Sequence, residues 1–171
     1  LVILLNIGIY LHKQVRLPEF IIIGLSIFGF LHILGGVVSF NNHRLYDAVF
    51  FNNLLRYDNI VHFFGSFIAT LILNVLFYSF IEKNQQIHYK LYYFSLLLMS
   101  LGAGVFNEVV ELIAVVLFQE QNKVGDYYNN AIDLVYNSIG SLTAIVVIDI
   151  YRLYKITPGN WTLFLKNIVK Q

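Results

Sequence analysis

Long apolar runs recur in this chain at residues 20–40, 59–81, 91–118 and 131–151. Each is long enough to cross a bilayer as a helix, since about 20 residues cover a hydrocarbon core of about 30 Å. Hydrocarbon offers no partner to a backbone N–H or C=O, so such segments form helices whose backbone bonds are all internal. Residues 1–11 form a fifth, shorter run that begins at Leu1 rather than Met, and it is expected to be the truncated end of another spanning helix. No basic segment precedes it and no small-residue cleavage site follows, which argues against a signal peptide. Composition agrees: 58% of the 171 residues are hydrophobic and 12% charged, against about 25% charged in a soluble domain. The expected fold is all-α, a polytopic transmembrane helical bundle of about five spans within residues 1–155, with no internal repeat and no second domain.

The flanks refine this expectation. Pro18 suits the first turn of the 20–40 helix, where its missing N–H has no partner to lose. The 91–118 run exceeds what a span needs, so it is expected to tilt or to project from the bilayer. Residues 41–57 mix Leu45, Val49, Phe50 and Leu54 with Asn41, Asn42, Asn52 and Asn53, which suggests a short interfacial helix or a re-entrant loop. After Pro158-Gly159, the residues Trp161, Phe164, Leu165 and Ile168 recur at helical spacing opposite Lys166 and Lys170, so 156–171 reads as an amphipathic helix on the membrane surface. Lys13, Arg16, Lys83, Lys90, Arg152, Lys155, Lys166 and Lys170 fall on one side of the membrane, and Arg44, Arg56 and Lys123 on the other. The positive-inside rule puts the first group and the C-terminal tail in the cytoplasm.

Several functions are excluded at once. A net charge of +1 with no basic tract leaves nothing to neutralise a phosphate backbone, so nucleic acid is not a partner. The lipid bilayer is. Cysteine is absent, which removes disulfides, thiolate zinc sites and cysteine nucleophiles.

Ionisable groups within spanning helices cost about 2.5–3.5 kcal/mol each on insertion scales, so they call for partners or a water-filled cavity. Here four helices carry them. His32 is followed by Gly35-Gly36, where a backbone or a ligand can approach closely. Asp58 and His62 open the next span at i, i+4, with Gly65, Ser66 and Ala69 on the same stripe. Glu108 and Glu111 follow Gly104 at i, i+3, while Asp133 and Asn137 lead the last span at i, i+4, ahead of Gly140, Ser141 and Ala144. The orientation places all four groups in the outer half of the bilayer, and small residues beside each let the helices approach with polar faces inward. A buried polar site opening to the extracytoplasmic side follows.

His32, His62, Glu111 and Asp133 supply nitrogen and oxygen ligands suited to a divalent metal such as zinc, manganese or iron, with Glu108 assigned to proton transfer and Asp58, Asn137, Gly35 and Gly36 completing the site. No H-E-x-x-H motif is present. A plainer alternative pairs Asp58 with Arg56 and His62 with Glu108 or Glu111, while Asp133 and Asn137 cap their helix. Carboxylates at i, i+3 on one helix lie side by side and do not flank a sugar as a glycosidase pair does. Neither Ser66 nor Ser141 has a nucleophile-elbow context. Three functions remain open: binding of a metal ion or of a polar lipid-linked or small polar ligand, a small proton-coupled transporter, and a scaffold whose polar pairs only fix helix packing. The inner halves of the spans, apolar apart from Asn74, Ser26 and Ser100, weigh against transport. His12, His43 and His88 fall in loops, and Tyr89, Tyr92 and Tyr93 read as an interfacial aromatic belt.

Four ordered segments carry a resemblance: His32-Ile33-Leu34-Gly35-Gly36, Arg56-Tyr57-Asp58-Asn59-Ile60-Val61-His62-Phe63, Gly102 through Glu111, and Asp133 through Gly140. Together they resemble the motif series of the YjdF-like predicted inner-membrane proteins, over about residues 20–150. The resemblance implies a multi-pass protein of the bacterial cytoplasmic membrane and brings no established reaction. The D-x-x-x-H start, the Glu-bearing helix and the D-x-x-x-N-x-x-G finish are also similar, more distantly, to the VanZ-like membrane proteins associated with glycopeptide resistance. Glu111 stands where that pattern more often shows Gln, and no Arg precedes Asp133.

Overall fold

The computed structural model describes residues 17–40, 43–51, 55–81, 87–118 and 127–153. Four helices account for most of them: α1 (Glu19–Val37), α2 (Tyr57–Phe80), α3 (Tyr89–Phe118) and α4 (Tyr127–Leu153), each long and apolar enough to cross a membrane. The expected fifth span at 1–11 and the amphipathic tail at 156–171 lie outside the described residues.

Local chemistry sets the helix ends. Pro18 stands just before α1, and its carbonyl accepts the Ile21 N–H at 3.0 Å. α1 stops at Val37, three residues short of the expected end, because Ser39–Phe40 (β1) pairs antiparallel with His43–Arg44 (β2). A 3₁₀ turn at Leu45–Asp47 follows, clasped by Arg44, whose Nε and Nη2 donate to the Asp47 carboxylate at 3.1 and 3.2 Å. Val49–Phe51 (β3) then pairs with Leu55–Arg56 (β4). The segment expected to be an interfacial helix or a re-entrant loop is therefore two small hairpins around a 3₁₀ turn. Its β-branched and aromatic residues favour extended backbone, and the sequences between the paired strands, Asn41-Asn42 and Asn52-Asn53-Leu54, carry the asparagines that such connections favour.

α2 begins two residues before the apolar run, where the Asn59 side chain reaches back to accept the Arg56 N–H at 2.7 Å. α4 begins at Tyr127, four residues early, because Tyr127, Tyr128, Asn129 and Asn130 are helical without being apolar.

α2 is the central element, touching α1, α3 and, most extensively, α4. Gly140 makes the α2–α4 seam possible: a Cβ there would run into the Phe63 carbonyl. The apolar core gathers Leu17 and Ile21, Ile68 and Leu71, Tyr92 and Leu96, and Ala144 and Ile148. These come from the starts of α1 and α3 and the late turns of α2 and α4, so successive helices run antiparallel and the core fills the end remote from the hairpins. Exposed apolar side chains, among them Ile23, Phe30, Phe94, Phe106, Leu142 and Val146, coat the outer faces, as contact with lipid requires.

At the remote end, Arg152 bonds Asp149 at 2.7 Å and lies 4.2 Å over the Tyr89 ring, and Tyr93 donates to Asp149 at 2.9 Å. Tyr92 departs from the expected belt. It is buried, and its hydroxyl donates to Asn74 Oδ1 at 2.8 Å, because a phenol taken out of water at this depth needs an acceptor.

Candidate functional site

The polar groups collect at the hairpin end, between α2, α3 and α4. Asp133 is 2% exposed, and its carboxylate is held by two amides: Asn59 Nδ2 donates to Oδ1 at 2.7 Å from across the seam, and Asn129 Nδ2 donates to Oδ2 at 2.8 Å from one turn earlier on α4. Asn129 in turn accepts from Arg56 Nη1 at 2.6 Å. A carboxylate has about four lone-pair sites, so Asp133 retains capacity for a cation after both amide bonds are made.

His62 sits one turn into α2. Its Nε2 lies 3.5 Å from Asp58 Oδ1 on the same helix, and its Nδ1 lies 3.5 Å from Glu108 Oε1 on α3. Each ring nitrogen thus faces a different carboxylate. Asp58, His62 and Asp133 each offer a ligand atom, and these atoms lie within 4.8 Å of one another. Two carboxylate oxygens and one imidazole nitrogen suit a borderline or hard divalent cation. All four of the carboxylates singled out in the sequence, Asp58, Glu108, Glu111 and Asp133, act electrostatically on this one imidazole.

The remaining expected residues take other places. Glu111 accepts from Asn107 Nδ2 at 2.8 Å, one turn earlier on α3. His32, on α1, has its Nδ1 2.6 Å from the Tyr46 hydroxyl and belongs to an aromatic rim in which the Tyr46 ring meets both His32 and Tyr57 edge-on. Tyr46 lies in the 3₁₀ turn outside the spans, and burial, with the Asp58 and Glu111 carboxylates nearby, pushes its phenol further above neutral. It keeps its proton, and its hydroxyl donates to the His32 carbonyl at 3.3 Å. Asn137 accepts from Ser66 Oγ at 2.7 Å, one layer deeper than Asp133. With α4 starting at Tyr127, Asp133 and Asn137 lie inside that helix and cap nothing.

Gly35 and Gly36 separate in role. A Cβ on Gly35 would sit 2.9 Å from both the Tyr46 and Tyr57 rings, whereas one on Gly36 would meet only Tyr46, at 3.9 Å. The close approach that the glycine pair implied is made by the protein's own tyrosines. Gly35→Ala is expected to destabilise the protein by about 1–3 kcal/mol, the usual range for overpacking, and Gly36→Ala to be near neutral. Thermal unfolding of the two variants in detergent checks the contrast.

Asn59, Asn129 and Arg56 complete the site without having been singled out as ligands or site residues. The signal was spacing: Asn129, Asp133 and Asn137 recur at intervals of four, and Asn59 lies next to Asp58 at a helix start.

A family model for DUF2238, described as a predicted membrane protein, matches residues 1–153. The chain belongs to the DUF2238 family. Membership agrees with the YjdF-like resemblance of the motifs, and similarity to VanZ-like proteins is not shown. No curated protein and no solved structure matches the chain. For this DUF2238 protein, then, the family establishes membrane residence, and the site has to be read from its own geometry.

Proposed function

We propose that this DUF2238 protein is a multi-pass protein of the bacterial cytoplasmic membrane that binds a divalent metal ion between α2 and α4, in a site open to the extracytoplasmic side. The observation that carries this reading is the convergence of Asp58, His62 and Asp133, from two helices, with ligand atoms within 4.8 Å. Metal-bound imidazoles commonly present their second nitrogen to a carboxylate, which fixes the ring. Glu108 stands on the Nδ1 side of His62 while Asp58 stands on the Nε2 side, so Glu108 is the positioning residue and Asp58 the ligand. On this reading, His32 and Glu111 belong to the rim.

Three protein ligands leave a coordination position for water or a polar ligand group, the form of a catalytic rather than a closed structural site. When bound, the ion supplies Lewis acidity. The chain's own residues orient the imidazole through Glu108, hold Asp133 through Asn59 and Asn129, and set Arg56 beside the opening. A site next to the hairpins, near the membrane surface, suits the polar group of a lipid-linked molecule.

Elemental analysis of the purified protein tests this. About one equivalent of metal is expected in wild type and in Glu111→Gln, with most of it lost in Asp58→Asn, His62→Gln and Asp133→Asn at matched folding. Absence of metal from well-folded wild type would leave a packing network in its place. Because an imidazole ligates only when unprotonated, retained metal is also expected to fall as the medium is acidified. Metal content after equilibration across a pH series reads this directly.

A further inference from the structure

Outside the site, the side chain least suited to its surroundings is Asn107 on α3. Hydrocarbon offers a polar group nothing to bond, and exposed polar side chains on the other outer faces find partners at home. Ser26 donates to the Ile22 carbonyl at 2.9 Å and Thr143 to the Ile139 carbonyl at 2.8 Å, while His32 is matched to Tyr46. Asn107 is exposed too. It donates one amide proton to Glu111 Oε1 at 2.8 Å and makes no other hydrogen bond among the described residues. A primary amide carries two protons and an oxygen with two lone pairs, so a proton and the oxygen are left over. Its surroundings are apolar, with Phe106 and Val110 exposed beside it and exposed apolar side chains continuing to Phe118.

α3 also has more apolar length than one crossing covers. Its 30 residues span about 45 Å at 1.5 Å per residue, against a hydrocarbon core of about 30 Å. Beyond Gly104 the helix is exposed on most sides, so it offers several stripes for packing, and side-chain identity chooses between them. Val105, Val109, Leu112 and Val116 make a bulky, wholly apolar stripe that suits lipid. On the opposite side, Ala103, Asn107, Val110, Ala114 and Leu117 recur at intervals of four and three, and all five are exposed. That spacing runs along a helix packed at a shallow angle against another. Ala103 and Ala114 flank Asn107 with short side chains, which let a second backbone come close enough for the amide to reach a partner.

We infer that α3 is a dimerisation helix, with two copies of this chain packed along the Ala103–Leu117 stripe about a two-fold axis normal to the membrane. Copies inserted in one orientation run parallel, so each stripe residue meets its own counterpart and the interface is isologous. A polar side chain at such an interface has to be complementary to itself. A carboxylate or an ammonium is not, but an amide is. The remaining Nδ2 proton of each Asn107 donates to the Oδ1 of the partner's Asn107, giving two bonds, and both copies keep the bond to Glu111. A different protein would have to present a donor and an acceptor at this one depth, whereas a second copy presents both by symmetry. A single asparagine in an otherwise apolar seam also fixes register and the number of strands. The seam passes beside the metal site without using its ligands, so dimerisation does not depend on a metal.

Cross-linking and association in lipid test the inference. The chain has no cysteine, so single cysteines report contact without background. In intact protein reconstituted into phosphatidylcholine vesicles, copper–phenanthroline oxidation is expected to link most of Ala103→Cys, Val110→Cys and Ala114→Cys as dimers. Val105→Cys, Val109→Cys and Leu112→Cys, at similar depths on the other side of α3, should link at least fivefold less. Energy transfer between donor- and acceptor-labelled protein, followed as lipid is added, reads association separately. Asn107→Ala, and Ala103→Leu, which blocks close approach, should each need at least tenfold more protein per lipid than wild type for half association, and Val109→Ala should match wild type. Each variant is compared as folded, monodisperse protein, and should one not fold, the other reads the same seam. Wild type that stays monomeric at every protein-to-lipid ratio overturns the proposal, whether lipid, residues 1–16 or another protein covers the stripe. Cross-linking that ignores the stripe, or wild-type association by folded Asn107→Ala, overturns it as well.

Discussion

Gly140→Leu is expected to abolish the folded bundle, and Gly140→Ala to weaken it severely. The ideal Cβ position on Gly140 collides with the Phe63 carbonyl oxygen and lies 3.0 and 3.2 Å from that residue's carbonyl carbon and Cα. Side-chain crowding is relieved by rotation, but backbone of a continuous helix has no such freedom, so the two helices must part. Parting them stretches the bonds that cross the seam, Asn59 to Asp133 and Ser66 to Asn137, both 2.7 Å long. Overpacking costs about 1–3 kcal/mol where neighbours can yield; the alanine variant belongs at or above the top of that range, and leucine well beyond it. Heating each variant in detergent and following the monodisperse fraction by size exclusion gives the readout. A leucine variant that survives like wild type would mean that α2 and α4 do not approach at this point.

The second large effect is expected at Asp133. Replacing it with alanine removes an acceptor shared by two buried amides, so the bonds from Asn59 Nδ2 and Asn129 Nδ2 are both lost. At about 1–3 kcal/mol for each buried donor that loses an acceptor, the loss is about 2–6 kcal/mol. Polar groups of a membrane protein find substitutes in the unfolded state, so the lower half of that range applies. Asp133→Asn keeps one acceptor oxygen but points an NH₂ at a donor, and it should fall between alanine and wild type. A double-mutant cycle with Asn59→Ala, read by thermal unfolding, isolates the cross-seam bond. Additive losses would show that the pair contributes no coupling. The same substitutions remove a proposed metal ligand, so the cycle is run on chelator-treated protein.

The helices were legible because hydrocarbon imposes a length and a composition that few other environments impose. All four described spans lie within four residues of their expected ends. The misplaced ends have local causes: Asn59 folding back on Arg56, a strand pair cutting α1 short, and a polar first turn on α4. The hairpins between α1 and α2 were not legible, since aromatic and asparagine residues near a membrane surface serve extended backbone and interfacial helix equally well until pairing partners are known. For the site, i, i+4 spacing put Asp58 with His62 and Asp133 with Asn137 on common faces. Spacing could not say which carboxylate faces which ring nitrogen, because that depends on the rotation of α3 against α2. Nor did it show that Tyr92 turns inward, a choice fixed by the acceptor on Asn74.

The same seam at Gly140 divides the site mechanically. Asp58 and His62 ride on α2 and Asp133 on α4, two helices whose backbones touch. Glu108 rides on the far half of α3, where Val105, Phe106, Val109, Val110, Leu112 and Ile113 are exposed and, among the described residues of that half, Val115 alone is a buried apolar side chain. Asp58, His62 and Asp133 are thus mounted on one frame and the Glu108 carboxylate on a separate arm. A tilt of α3 changes the distance from Glu108 to His62 while leaving the spacing of Asp58, His62 and Asp133 as it was. Lipid pressing on the outside of α3 therefore has a lever on the imidazole's far nitrogen, and the thickness of the surrounding bilayer becomes a variable of the site.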